Sequence, residues 1–151
     1  MHPCLQLGEE ENNKISSQDA LLLRLMMPVA KAYTAKKAVS NISEGLECFG
    51  GQGYIEDTGL PGMLRDVQVL PIWEGTTNVM ALDTARAIAK SKGKVMQAFH
   101  ERISNAIHAG LKSNDAEVQR STARLKMGME AFTHFCSDQG EIFRNFGFNL
   151  V

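Results

Sequence analysis

The sequence lacks the features that mark several classes of protein. It contains only three cysteines, Cys4, Cys48 and Cys136, and their odd number and wide spacing fit neither a disulfide framework nor a zinc site. A reducing compartment is therefore the simpler interpretation. No run reaches the roughly 18 apolar residues of a membrane span. The first residues resemble neither a signal peptide nor a transit peptide.

Net charge is almost absent as well. Sixteen Lys and Arg residues against seventeen Asp and Glu residues give a formal charge of −1, so no global field would hold nucleic acid or an anionic membrane. Hydrophobic residues make up 44% of the 151 residues. That is enough apolar material for one folded domain and argues against extensive disorder.

Apolar residues recur at steps of three and four in three segments, which predicts amphipathic helices. The segments are 17–49, where Pro28 is expected to kink or restart the helix, 77–112, interrupted by Gly93, and about 115–136. Lysines such as Lys31 fall off the first stripe and are expected on a solvated face. The candidate N-terminal caps are Ser17, Thr76 or Thr77, and Ser113 or Asn114.

The remaining segments predict connections rather than strands. Residues 1–16 are polar and predict a loop, and residues 50–73 are glycine-rich, with a short helical turn near 63–69. The tail, 137–151, is short, and a last helical turn is expected in 140–151. The sequence therefore predicts an all-α fold, a partial up-and-down helical bundle whose helical domain spans 17–136.

Two short segments could carry chemistry. At 47–54 a helix end is followed by glycines, which let backbone N–H groups approach a phosphate, although a tight helix C-cap explains the same pattern. At 72–78, Glu74 follows Trp73 near a helix N-terminus. This setting suits tuned proton transfer, but an exposed first-turn acid or cap is the alternative.

The order and spacing of these motifs resemble the C-terminal helical domain of the acyl-CoA dehydrogenase flavoproteins over residues 21–88. Glu-Cys-Phe-Gly-Gly-Gln-Gly-Tyr at 47–54 is similar to the family's glycine-rich turn, and Ile-Trp-Glu-Gly-Thr at 72–76 to its Tyr-Glu-Gly-Thr motif. Arg65-Asp66 is similar to its Arg-Asp pair, which we expect to hold the loop by an ion pair. Glu47, Leu60-Pro61 and Trp73 resemble the subgroup of AidB-like and acyl-CoA dehydrogenase family member 11-like proteins.

The resemblance implies an active site. Glu74 would be the base that removes the α-proton of an acyl-CoA thioester, a hydride would pass to FAD, and the backbone N–H of Glu74 would hold the thioester oxygen. Gly75 and Tyr54 would contact the substrate. Glu47 replaces the family's usual Gln. The carboxylate of Glu47 is unfavourable near a diphosphate unless it binds ribose hydroxyls. The positions that would contact FAD are Glu47, Gly50, Gly51, Thr76 and Asn78.

The resemblance also implies partners. The family's N-terminal and middle domains have no counterpart in this sequence, so we expect a fragment, a truncated gene model or a short isoform without turnover alone. Family members assemble as homotetramers, so neighbouring subunits are expected partners. The acyl chain length, electron acceptor and compartment stay open.

Two alternatives to the enzyme remain. A catalytically inactive oligomerisation domain is one. A nucleic-acid-associated module is the other, because residues 90–126 carry eight basic and three acidic residues. The lack of an aromatic stacking platform among these charges favours a solvated helix surface as the explanation of the excess. No metal site is predicted.

Overall fold

The computed structural model describes residues 3–138, and this part of the chain contains six α-helices and no strand. The predicted all-α class is confirmed. The helical turn expected in 140–151 lies outside the described residues. The helices are α1 (Pro3–Glu11), α2 (Ser17–Cys48), α3 (Leu60–Gln68), α4 (Thr77–Lys90), α5 (Lys94–Leu111) and α6 (Ala116–Asp138).

The chain divides into two compact units. One is Met26–Thr84, and the other joins Met1–Leu25 to Ala85–Val151. Both α2 and α4 begin in one unit and end in the other. The unit Met26–Thr84 contains every residue that the sequence analysis assigns to the active site.

A helix replaces the loop predicted at the N-terminus. Pro3 opens α1, where a missing backbone N–H costs nothing. The side chain of Gln6 is buried, with 4% of the residue exposed, and its amide donates to Asp19 Oδ1 at 3.3 Å. The prediction failed because this anchoring contact is distant in sequence, while the local composition is polar.

Two helix caps lie next to the predicted residues rather than on them. The N–H of Asp19 donates to Ser16 Oγ at 3.0 Å, and Ser16 Oγ donates to Asp19 Oδ2 at 2.7 Å, so Ser16 caps α2. Asp115 Oδ1 accepts from the N–H groups of Glu117 at 2.7 Å and Val118 at 3.2 Å and caps α6. The predicted caps at Ser17 and at Ser113 or Asn114 are therefore wrong.

The predicted helix 77–112 is two helices. Lys92 has φ +51° and Gly93 has φ +82°, and this left-handed pair ends α4 and opens α5. Helix α2, in contrast, is continuous through the buried Pro28, so the helix does not restart there.

Helices α5 and α6 pack as an antiparallel pair. Phe99 and Phe132 make an edge-to-face contact with ring centroids 6.0 Å apart. At the other end, Gly110 approaches Thr122 so closely that a Cβ on the glycine would lie 2.0 Å from Thr122 Oγ1. Residue numbers rise along α5 and fall along α6 between these two contacts, so the helices are antiparallel and the contacts fix their register.

Candidate functional site

The glycine-rich turn follows directly from the end of α2. As predicted, the helix stops before the glycines, at Cys48, and a 3-10 turn spans Gly50–Gly53. Gly50 has φ +54°, a backbone that favours glycine. Gly53 is buried, and a Cβ there would lie 2.1 Å from the Leu46 carbonyl oxygen. Gly53 therefore folds the turn back against the last turn of α2.

Gly50 and Gly51 face open space instead. A Cβ on either residue would meet no heavy atom within 4 Å. Gly51 also lies outside the left-handed region, so nothing inside the described chain requires glycine there. Their backbone is accessible from outside, which is the condition for close approach of a phosphate group.

Glu74 occupies an unusual backbone conformation. Its φ is +52°, and that of the following Gly75 is +121°. A left-handed conformation at a residue other than glycine costs about 1–3 kcal/mol and is concentrated at functional sites. The carboxylate is exposed, so the described residues do not form the dry pocket that a base would need.

Lys31 holds the segment that carries Glu74. Its ammonium donates to the carbonyl oxygens of Leu70 at 2.9 Å and Trp73 at 3.0 Å, and to that of Gly75. An ammonium has three donors, and all three are used. The predicted placement of Lys31 on a solvated face is therefore wrong: the residue is partly buried. Helical periodicity could not reveal this role because the partners lie 39 to 44 residues away.

The N-terminus of α4 lies just after Glu74. The N–H of Met80 donates to the Thr76 carbonyl at 2.9 Å, so the helix starts after Thr76, in agreement with one of the predicted caps. Thr76 and Asn78 are exposed. An open helix N-terminus favours anions through its unpaired N–H groups and its dipole.

Arg65 forms an ion pair, but with a different partner from the predicted Asp66. Its guanidinium binds the Glu56 carboxylate through both oxygens at 2.9 and 3.0 Å. The hydrogen bonds from Arg65 lower the pKa of Glu56 below its ordinary value. The pair ties the short 3-10 turn Glu56–Thr58 to α3, which is a structural role.

Large apolar side chains next to the predicted site residues in sequence are exposed. Tyr54 is 85% exposed, Ile72 65%, Phe49 58% and Trp73 54%. Exposed aromatic and aliphatic side chains of this size are available for contact with other polypeptide. Every other predicted site residue is also exposed except Gly75, which is partly buried; these residues are Glu47, Gly50, Gly51, Glu74, Thr76 and Asn78.

The other predictions about sites concern metals, membranes and nucleic acid. Among residues 3–138, no three His, Cys, Asp or Glu side chains are grouped to hold a metal ion. No described helix is long and apolar enough to cross a membrane. In the basic segment 90–126, Arg102 is bound to Asp19, which leaves fewer charges for nucleic acid. Binding to nucleic acid stays a prediction.

Comparison with known proteins agrees with these features. The chain is 46% identical over 124 residues to acyl-CoA dehydrogenase family member 11 of Caenorhabditis elegans, covering 82% of this chain and 20% of that protein. It is 31% identical over 121 residues to the AidB protein of Escherichia coli, covering 80% of this chain and 21% of that protein. The chain thus spans about a fifth of the length of the curated relatives it matches.

The fold is also similar to that of a solved structure from Caenorhabditis elegans. The crystal structure of C. elegans ACDH-11 in complex with C11-CoA superposes with a TM-score of 0.76 at 43% identity, covering 91% of this chain and 23% of that one. Residues 11–89 match the family described as acyl-CoA dehydrogenase, C-terminal domain. The chain therefore belongs to the acyl-CoA dehydrogenase family and carries its C-terminal helical domain.

Proposed function

We propose that this chain supplies the C-terminal part of the active site of an FAD-dependent acyl-CoA dehydrogenase, which forms the α,β double bond of an acyl-CoA thioester. The observation that carries the proposal is the left-handed backbone at Glu74, between an exposed Trp73 and the N-terminus of α4. Family membership and the C11-CoA bound by the C. elegans relative support it.

Glu74 would accept the α-proton of the thioester. This proton is weakly acidic, so its removal requires a positioned base in a site from which water is excluded. The backbone N–H of Glu74 would donate to the thioester oxygen and stabilise the charge that develops there. Gly75 and Tyr54 would lie along the substrate.

The residues of the unit Met26–Thr84 fit FAD. Open space beside Gly50 and Gly51 leaves their backbone accessible to a diphosphate, and Thr76 and Asn78 lie at the exposed N-terminus of α4. Glu47 would contact ribose hydroxyls rather than phosphate because it is an anion. When bound, FAD supplies the acceptor for the hydride that leaves the β-carbon.

The site is completed by other polypeptide. Glu74 is exposed, and so are the apolar side chains of Phe49, Tyr54 and Trp73. Burying that surface against another domain or a neighbouring subunit would dry the carboxylate and enclose the acyl chain. The chain alone is therefore expected to bind FAD weakly and to show no turnover.

Replacing the matching segment of the C. elegans relative with this chain tests the proposal. We expect the chimera to bind flavin and oxidise C11-CoA. The variant Glu74→Gln should keep the flavin spectrum and lose turnover by about 10²-fold or more. Glu44→Gln, an exposed acid on α2, is the matched control and should retain turnover. A folded, flavin-loaded chimera whose Glu74→Gln variant keeps full turnover would refute the proposal.

A further inference from the structure

We propose that Lys31 is the positioning residue for Glu74. Its ammonium binds the carbonyl oxygens of the residues on both sides of Glu74, Trp73 and Gly75, as well as that of Leu70. The inference rests on the proposed function of Glu74, and it adds a residue that lies a whole helix away in sequence.

Few other hydrogen bonds hold the backbone around Glu74 among the described residues. Turn hydrogen bonds follow α3 as far as the N–H of Trp73, which donates to Val69 at 3.0 Å, and the ladder of α4 begins at Met80. Between them, Glu74 and Gly75 both have positive φ. The two carbonyls that flank Glu74 both bind Lys31. The cation therefore fixes the orientation of the peptide groups on either side of Glu74, and these determine the direction in which its side chain projects.

A simple helix-capping role for Lys31 accounts for only part of this geometry. A cation near the C-terminal turn of α3 would be favourable at Leu70. The carbonyls of Trp73 and Gly75, in contrast, lie beyond that turn and bracket Glu74. One ammonium binds all three carbonyl oxygens, and in this way Lys31 connects the end of α3 to the residues around Glu74 and to the start of α4.

Lys31 also suits this task better than other cations. An ammonium is compact and its donors rotate, so they can point at three separate carbonyl oxygens, whereas a guanidinium presents a planar fork. We therefore expect Lys31→Met to release the segment and Lys31→Arg to hold it only in part. Lys36→Met is the matched control because Lys36 is exposed on the same helix and its loss changes the charge equally.

The first measurement uses the 151-residue chain and amide hydrogen exchange by NMR. Lys31→Met should increase exchange at the hydrogen-bonded amides of Ile72 and Trp73 by about tenfold or more and shift the resonances of residues 74–76, while Lys36→Met leaves both as in the wild type. If Lys31→Met does not fold, Lys31→Arg is measured in its place and should give a smaller change in the same direction. Unchanged exchange at Ile72 and Trp73 together with unchanged resonances of residues 74–76 in a folded Lys31 variant would overturn the proposal.

The second measurement uses the flavin-loaded chimera and separates positioning from stability. Lys31→Met should lower kcat by about 10²-fold, the effect of a base displaced by roughly 1 Å, with KM nearly constant and the flavin content unchanged. An unchanged kcat would contradict a positioning role. If the wild-type chimera shows no turnover, the dehydrogenase proposal fails, and the exchange measurement still decides whether Lys31 holds Glu74.

Discussion

Gly53→Ala tests the glycine-rich turn, because the structure assigns different roles to adjacent glycines. A Cβ at Gly53 would lie 2.1 Å from the carbonyl oxygen and 2.9 Å from the carbonyl carbon of Leu46, whereas ordinary contacts begin near 3.4 Å. Both atoms are backbone of the last turn of α2, so relief requires that the helix end or the turn move. Overpacking of this kind costs about 1–3 kcal/mol.

The assay is thermal unfolding followed by far-UV circular dichroism. In a chain of 151 residues, each kcal/mol lowers the melting temperature by about 2–4 °C. Gly51→Ala is the control, because its Cβ would meet open space, and it should change the stability by less than about 0.5 kcal/mol. In the flavin-loaded chimera Gly51→Ala should instead lower the FAD content. Equal melting temperatures for Gly53→Ala and the wild type would refute the reasoning.

Two further predictions concern the start of α2. Ser16→Ala removes the cap bound by Asp19 and should cost about 1 kcal/mol in urea unfolding; no loss would mean that Ser16 does not cap the helix. The pKa of Asp19 lies below its ordinary value of 3.8, chiefly through the hydrogen bond from Ser16 and also through Arg102. Its contribution is therefore present above pH 3.8 and is lost as the pH falls through the lowered pKa. Asp19→Asn should flatten the acid limb of the stability curve, and an unchanged limb would exclude this linkage.

Local signals predict the parts of the fold that local interactions determine. The apolar stripe of α2 and the glycines after Cys48 fix the helix and its end, because periodicity and left-handed backbone preference act over a few residues. The motif around Glu74 is recognisable by its resemblance to the acyl-CoA dehydrogenase family rather than by periodicity. The all-α class follows from several such segments and needs no knowledge of tertiary contacts.

Distant contacts account for the failures. The contact of Gln6 with Asp19 anchors α1 across a polar stretch, and Arg65 binds Glu56, nine residues before it, rather than the adjacent Asp66. Lys92 adopts a left-handed backbone that its residue type does not favour. Lys31 and the carbonyls around Glu74 are separated by about forty residues, so no spacing rule brings them together.

The division of the site residues also has a consequence for assembly. The unit Met26–Thr84 contains the open glycines, the proposed base Glu74 and the N-terminus of α4, yet its aromatic side chains Phe49, Tyr54 and Trp73 are solvent-exposed. This unit therefore contains most of the residues to which we assign chemistry, but it does not shield them from water. Under the proposed function, polypeptide that packs on Phe49, Tyr54 and Trp73 would exclude water from Glu74.

The most direct test of the central claim is exchange of the substrate α-hydrogens with solvent. The flavin-loaded chimera would be incubated with C11-CoA in deuterated water, and deuterium at the α-carbon measured by mass spectrometry. We predict exchange with Glu74 and Glu44→Gln, and none above background with Glu74→Gln. Undiminished exchange in a folded Glu74→Gln variant would show that another group removes the proton and would contradict the account.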